Sequence, residues 1–263
     1  MSDAGQWTEF AIRAASTAFV VVFVAWIAAR LGPTIGGVVI GLPIVLAPGF
    51  FFMLREHSAD FVAASASGAI YSLAATQIFL GAFVVASTRL GAAGATAAAI
   101  AAWCVLAIPL AFVPHDPLAG TALFALTTFL ARLVGLRFVD PDRRAPSPAR
   151  WSLLILRGIA AGMLVGCVTF AASRLGASLA GTLLAFPIGF CVILLSLRLD
   201  HGAEIAGQTA HAGLVGVVSL AGFCLALAVT SETIGQWQAF GAALLASLAI
   251  TIALTVIARR RPT

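Results

Sequence analysis

The chain has 263 residues, of which 61% are hydrophobic and 10% are charged, and its formal net charge is +5. Soluble globular chains are about 45–50% apolar and about 25% charged, so this composition excludes a soluble domain of any size and indicates the lipid bilayer as a partner. Every basic residue is an arginine, and the arginines lie at the ends of apolar runs, as topology determinants do. No basic stripe is interleaved with aromatic residues, which argues against a nucleic-acid partner.

Nine apolar runs are long enough to cross a bilayer, which takes about 20 predominantly apolar residues. In chain order the predicted spans are 10–29, 34–54, 61–87, 92–112, 118–138, 151–173, 178–198, 204–231 and 236–258. Their connections are short, except for a linker at 140–150 that contains three prolines. We therefore predict an all-α, polytopic integral membrane protein with about nine transmembrane helices.

The two halves of the chain match each other without a gap when one is shifted by 144 residues. The informative matches involve residue types that are rare here, since a fixed-period self-match indicates a repeated unit. They place Trp7 on Trp151, Arg30-Leu31-Gly32 on Arg174-Leu175-Gly176, Pro43 on Pro187, and Glu56-His57 on Asp200-His201. The match predicts a first four-helix repeat at 1–117, a connecting helix and linker at 118–150, and a second repeat at 151–263.

The position of the connecting helix determines how the repeats are oriented. Equivalent points in the two copies are five spans apart, and because five is odd, the copies must lie upside down relative to each other. Inverted-topology repeats are characteristic of secondary transporters.

The distribution of arginines predicts the orientation in the membrane, because cytoplasmic loops carry the excess of positive charge. One face of the membrane receives eleven arginines and the other receives three, which are Arg13, Arg55 and Arg174. The first face should be cytoplasmic. We therefore expect a multi-pass protein of the bacterial inner membrane, with the N-terminus outside and the C-terminus in the cytoplasm.

The second and seventh spans each carry a proline close to the midpoint, Pro43 and Pro187. Proline removes a helical hydrogen bond, and interrupted helices at matching positions of two halves indicate a transport site. The alternative is a pair of proline kinks, with glycines that allow close helix packing. Gly37, Gly41 and Gly181 lie near the prolines and are predicted to let a substrate or another helix approach.

Three polar side chains inside predicted spans complete the candidate substrate site. They are Gln77, Gln208 and His211, and His211 is the only histidine within a predicted span. An ionisable residue inside a membrane is a functional candidate by default.

Two charged clusters lie at equivalent positions, and we regard both as candidate proton or cation relays. They are Glu56, His57 and Asp60 in the first half, and Asp200, His201 and Glu204 in the second. Histidine titrates near neutral pH, which suits a relay. The alternative is a solvated helix start, where acidic residues favour the positive end of the helix dipole. The inverted layout puts the clusters on opposite faces of the membrane, so they cannot form one site.

The sequence contains no GxSxG, HExxH or phosphate-binding glycine loop, each of which would indicate a particular enzymatic chemistry. We therefore predict no catalytic residues, no metal site, no cofactor and no enzymatic activity.

The stretch from Arg30 to Asp60 resembles the small four-helix GlpM-like bacterial membrane proteins. The residues that carry the resemblance are Leu31-Gly32-Pro33-Thr34-Ile35-Gly36-Gly37, with Leu42-Pro43 and Arg55. The second half departs from this pattern, with Ala177 in place of Pro33 and Ala180 in place of Gly36. The resemblance implies an architecture and no activity.

These observations together predict an inner-membrane transporter or permease. Its substrate should be small and neutral or lipophilic, because no fixed charge lies near the midplane to balance an ion. A non-transporting membrane scaffold or accessory subunit is the leading alternative, and a membrane-embedded enzyme is the third. The sequence leaves the oligomeric state open.

Overall fold

The computed structural model describes residues 3–30, 43–139 and 151–260, and the regular secondary structure in these ranges is α-helical. The described helices are α1 (Asp3–Arg30), α2 (Leu46–Glu56), α3 (Ala59–Ser87), α4 (Ala92–Leu110), α5 (Pro117–Gly135), α6 (Trp151–Leu175), α7 (Ala177–Leu184), α8 (Ile188–Thr230) and α9 (Gln236–Arg260). The prediction of an all-helical protein is confirmed for this part of the chain.

Five stretches of the described chain are long and apolar enough to cross a membrane. They are Ala59–Ser87, Ala92–Leu110, Pro117–Gly135, Ala177–Thr230 and Gln236–Ile257. The predicted membrane protein is therefore supported, while the larger number of nine spans stays a prediction.

The long helix α8 folds back on itself at Gly202. This glycine has φ +88°, a left-handed value that L side chains rarely adopt. A Cβ added to Gly213 would lie 2.8 Å from the Phe190 ring, although a straight helix would separate these residues by about 35 Å. Hence α8 consists of an N-arm (188–201) and a C-arm (203–230) that run antiparallel.

Helix α3 lies at the centre of the described bundle. In its most apolar window 78% of the residues are buried, compared with 28% in α4 and in α5 and 17% in α9. The C-arm runs antiparallel to α3, because Gly207 lies near Ser87 and the Gln77 side chain reaches Leu214. Most of the core is thus built around these two helices.

Helices α1 and α6 form a second antiparallel pair. Gly158, Gly162 and Gly166 lie one turn apart on α6, and α6 packs through them against Ala18 and Ala14 of α1. Small residues at this spacing let two helix backbones approach closely in a membrane. A Cβ added to Gly162 would overlap the Ala14 carbonyl oxygen, so the contact leaves no room for a side chain there.

Candidate functional site

The seventh predicted span is broken at Pro187. Helix α7 ends at Leu184, and α8 begins at Ile188 with Pro187 as its N-cap. In the first half, Pro43 likewise precedes α2, which begins at Leu46. Both prolines are buried and stand before helices. At Pro187 the chain therefore has the interrupted helix rather than the kink, while the residues that precede Pro43 lie outside the described part of the chain. A proline fits before a helix because that position needs no backbone N–H donor.

The break changes which carbonyl needs an outside partner. Pro187 cannot donate a hydrogen bond to the Leu183 carbonyl one turn earlier, but the Phe186 N–H turns back to donate to it at 3.0 Å. That turn leaves the Thr182 carbonyl without its helical donor. The Ser72 hydroxyl of α3 donates to it at 2.8 Å, so α3 stabilises the end of the broken helix.

Gly181, a candidate substrate-binding residue, is a helix-packing residue in the structure. A Cβ added to it would overlap the Ser65 carbonyl oxygen, and one added to Gly68 would lie 2.7 Å from the Ser178 carbonyl oxygen. Helices α7 and α3 therefore touch backbone to backbone. Gly37 and Gly41 lie outside the described residues.

Among the polar candidates on α3 and the C-arm, Gln77 lies at the interface between these two helices. The Gln77 amide donates to the Leu214 carbonyl at 3.2 Å, which ties α3 to the C-arm. Its Oε1, the Gln208 Nε2 and the His211 Nδ1 are buried without a hydrogen-bond partner in the described part of the chain. His211 packs against Gly135 of α5. No described hydrogen bond joins Gln77, Gln208 and His211 to one another.

The two charged clusters lie at the hairpin turns. Glu56 is the last residue of α2, His57 follows it as the C-cap, and Asp60 is in the first turn of α3. The second cluster (Asp200, His201 and Glu204) surrounds the turn at Gly202 and is exposed. Because α3 and the C-arm start at these turns and run antiparallel, the clusters lie at opposite ends of the bundle and do not form one site.

Glu56 has a structural partner that the sequence did not indicate. Arg13 of α1 is 4% exposed and forms ion pairs with Glu9, at 2.8 Å, and with Glu56. Its guanidinium also lies 5.8 Å from the Phe52 ring centroid. The ion pair therefore ties α1 to α2 close to the hairpin turn, and Glu56 is occupied by it in this structure.

His57 stacks on the Phe61 ring with 4.0 Å between ring centroids. Burial lowers the pKa of His57, and the nearby Arg13 lowers it further, against the opposing effect of Glu56. A histidine in this setting favours its neutral form, which is the form that can accept a proton.

A polar cluster that sequence reasoning missed lies where the loop between α4 and α5 meets α7. The Ser178 hydroxyl is 3.1 Å from the His115 Nδ1 and donates to the Ala111 carbonyl at 3.1 Å. The Tyr71 ring meets the His115 ring edge-on, and its hydroxyl donates to the Asp116 carbonyl. The loop thus joins the start of α7 to α3. No sequence pattern indicates this, because His115 and Ser178 are 63 residues apart.

Burial lowers the pKa of His115, and a stability effect in acid follows. The ordinary value is 6.5, so below about pH 6.5 the unfolded chain binds a proton at this site more readily than the folded protein does, and folding weakens. When the pH falls from 7.5 to 5.5, we expect the midpoint of thermal unfolding to drop less in His115→Gln than in the unaltered protein. The exposed His201→Gln is the matched control and should lose as much as the unaltered protein. An identical loss in all three proteins would contradict the prediction.

Two cavities of the described structure have apolar walls. One, of about 270 Å³, lies between α1, α2 and α9. The other, of about 110 Å³, lies between α4 and α7. Its lining residue Leu183 is three residues from Phe186, at the break in the seventh span, so this cavity adjoins the broken helix. A transporter of polar substrates would need a polar cavity near the midplane. Neither of these two cavities is polar.

Comparisons with protein-family models, with curated proteins and with solved structures found no match to this chain.

Proposed function

We propose that the protein is an inner-membrane permease for a small neutral or lipophilic substrate, with two inverted halves that expose a site beside the broken helices to each side in turn. The broken helix at Pro187 carries this proposal. It places an interrupted helix, held by the Ser72 hydroxyl, next to an apolar cavity. Interrupted helices at matching positions of two repeats are where transporters bind their substrates.

The contacts between α1 and α6 support the inverted repeat. Gly158 contacts Ala18, and Gly162 contacts Ala14. A shift of 144 residues carries Ala18 onto Gly162 and Ala14 onto Gly158, so each contact maps onto the other. Two equivalent helices that cross antiparallel with interchangeable contacts are related by a two-fold axis perpendicular to both, which for membrane-spanning helices lies in the membrane plane.

The ends of the hairpins provide independent support. The Arg198 side chain, near the end of the N-arm, donates to the carbonyl of Ser87, the last residue of α3, and to the carbonyl of Leu90 just after it. In the other half, the Gln236 amide at the start of α9 donates at 3.0 Å to the carbonyl of Leu54, the residue equivalent to Arg198. In both halves a side chain to carbonyl bond therefore joins the turn end of one hairpin to the end of the other hairpin or the segment after it, with Arg198 as the donor in one half and Gln236 of α9 as the donor in the other.

The charges favour a neutral substrate. Arg132 and Arg174 lie in the last turns of α5 and α6, and the buried Arg13 of α1 is already paired with Glu9 and Glu56 close to the hairpin turn. A buried ion near the bilayer centre would need a compensating charge, and Arg13 is neutralised by its own partners. A small uncharged molecule needs no such partner.

Access to Thr182 from both sides of the membrane tests the proposal without knowledge of the substrate. Thr182 is 4% exposed and lies beside the break. We expect Thr182→Cys, in a background without the four native cysteines, to be labelled by a membrane-impermeant thiol reagent in vesicles of either orientation. A cysteine at the exposed His201 is the control and should be labelled from one side. A scaffold would leave the Thr182→Cys thiol unlabelled from both sides.

The proposed orientation has its own test. The arginine distribution leads us to expect cytoplasmic reporter activity from fusions placed after Asp140 and after Arg261. A fusion within the loop that contains His115, between α4 and α5, should report the periplasm. A periplasmic signal from either of the first two fusions would overturn the orientation.

A further inference from the structure

The larger of the two apolar cavities is a groove between α1, α2 and α9. Val20 of α1, Phe51 of α2 and Phe240 of α9 are among the residues that line it. The Ser16 hydroxyl belongs to a lining residue as well, but it donates to the Ile12 carbonyl of its own helix at 2.7 Å. The groove therefore offers an occupant apolar contacts alone, which suits a hydrocarbon chain.

The groove runs along the helix axes, inward from a charged end. Arg13 of α1 pairs with Glu56, the last residue of α2. Gln236, the first residue of α9, donates to the Leu54 carbonyl near the same end of α2. Because Val20 lies seven residues after Arg13, the groove extends about 10 Å inward from this level. In membrane-spanning helices, this direction is that of the acyl chains in one leaflet.

The side of the groove is open toward the lipid. Phe51 is 39% exposed, and Trp237, which meets it edge-on with 5.8 Å between ring centroids, is 48% exposed. Tryptophan is enriched at the membrane–water interface, which agrees with its place next to the charged end. The volume of about 270 Å³ is nearly twice the roughly 150 Å³ of an apolar cavity that takes benzene. The groove therefore holds a chain segment of roughly ten carbon atoms.

A cation stands at the charged end of the groove. Arg55 is exposed and follows Phe51 by four residues, so the two side chains share one face of α2. Arg55 makes no ion pair in the described part of the chain, and the nearby carboxylates of Glu9 and Glu56 are both held by Arg13. Arginine binds phosphate through paired N–H donors. The position of Arg55 therefore suits the phosphate of a lipid whose chain lies in the groove.

We propose that the groove binds one acyl chain of a phospholipid and that Arg55 holds the phosphate of the same molecule. The proposal goes beyond the permease function, because it requires a groove, a depth and a cation but no transport. A lipid held there joins α1 to α9 through its chain. In the second half Leu199 occupies the position equivalent to Arg55, so the repeat does not generate a second copy of this cation.

Native mass spectrometry of the full chain, freed of co-purified lipid in detergent, tests the phosphate contact. The probes are palmitoyl-oleoyl phosphatidylglycerol and the diacylglycerol with the same two chains, which lacks the phosphate. We expect one phosphatidylglycerol per chain to bind about fivefold more tightly than the diacylglycerol. Arg55→Gln should remove this difference and leave diacylglycerol binding unchanged. The matched control Arg89→Gln, at an exposed position after the far end of α3, should bind both lipids as the unaltered protein does.

A second variant tests the chain-binding groove in the same measurement. Ala47 lines the groove, and Ala47→Phe, which fills it, should abolish binding of both lipids. Ala101→Phe, at an exposed position of α4, is its control and should leave binding unaltered. Equal binding of the two lipids, phosphatidylglycerol binding that is indifferent to Arg55→Gln, or binding that survives Ala47→Phe overturns the site. If size-exclusion chromatography shows that Ala47→Phe does not fold, the comparison of Arg55→Gln with Arg89→Gln decides the result.

Discussion

Gly181→Ala is expected to destabilise the protein by about 3 kcal/mol, at the upper end of the cost of overpacking. The added methyl group would overlap the Ser65 carbonyl oxygen, which belongs to the backbone of the central helix and cannot turn away. For a chain of this size the loss corresponds to a drop of about 6–12 °C in the midpoint of thermal unfolding. The midpoint can be measured on detergent-solubilised protein by size-exclusion chromatography after heating.

Gly216→Ala is the matched control for this experiment. Gly216 lies on the C-arm of α8, and nothing described lies within 4 Å of a Cβ added there. Alanine is also the better helix former, by up to about 1 kcal/mol, so this variant should be neutral or slightly stabilising. Equal stability of the two variants would show that α7 and α3 do not touch as described, and would return Gly181 to the candidate substrate contacts.

Removal of both carboxylates that pair with Arg13 should produce the second large effect. Arg13 is buried, while Glu9 and Glu56 are partly exposed. A buried charge without its partner costs about 3–5 kcal/mol, so we expect a loss in this range from the double variant Glu9→Gln/Glu56→Gln. Each single variant should lose much less, because one carboxylate then remains. Thermal unfolding of the purified protein measures all three.

Rescue separates this charge effect from simple loss of contacts. Arg13→Met removes the buried charge but keeps an apolar side chain of similar length, so adding it to the double variant should recover most of the stability. Arg55→Gln, at an exposed position next to Glu56, is the control and should change little. If the triple variant is as unstable as the double variant, the buried guanidinium is not the cause of the loss.

Hydrophobic patterning predicted most helix positions well. The predicted span 92–112 corresponds to Ala92–Leu110, and 118–138 corresponds to Pro117–Gly135. The apolar runs that lipid requires end at charged or glycine-containing turns, and these signals are local. The two prolines are local signals as well, and they indicated a break or a kink in each span. Their positions just before α2 and α8 are visible only in the folded backbone.

The partners of the polar side chains could not be predicted, because they depend on how the helices rotate against one another. The Ser72 hydroxyl meets a carbonyl 110 residues away and the Gln236 amide meets one 182 residues away. Neither pattern nor spacing carries this information. Gly181 illustrates this limit. Its small size predicted that another group approaches it closely, but it did not indicate whether that group is a helix or a substrate.

The central place of α3 has a consequence for how the protein is made. Its side chains Ser72 and Gln77 bind carbonyls of Thr182 and Leu214, which are synthesised long after α3 has left the ribosome. At about 5–20 residues per second, Ser72 waits roughly 5–20 s for its partner. During that interval the polar face of α3 must be shielded from acyl chains by α4 and α5 or by the insertion machinery. Membrane assembly of this chain is therefore completed late, when α7 and the two arms of α8 pack against α3 and replace the groups that shielded its polar face.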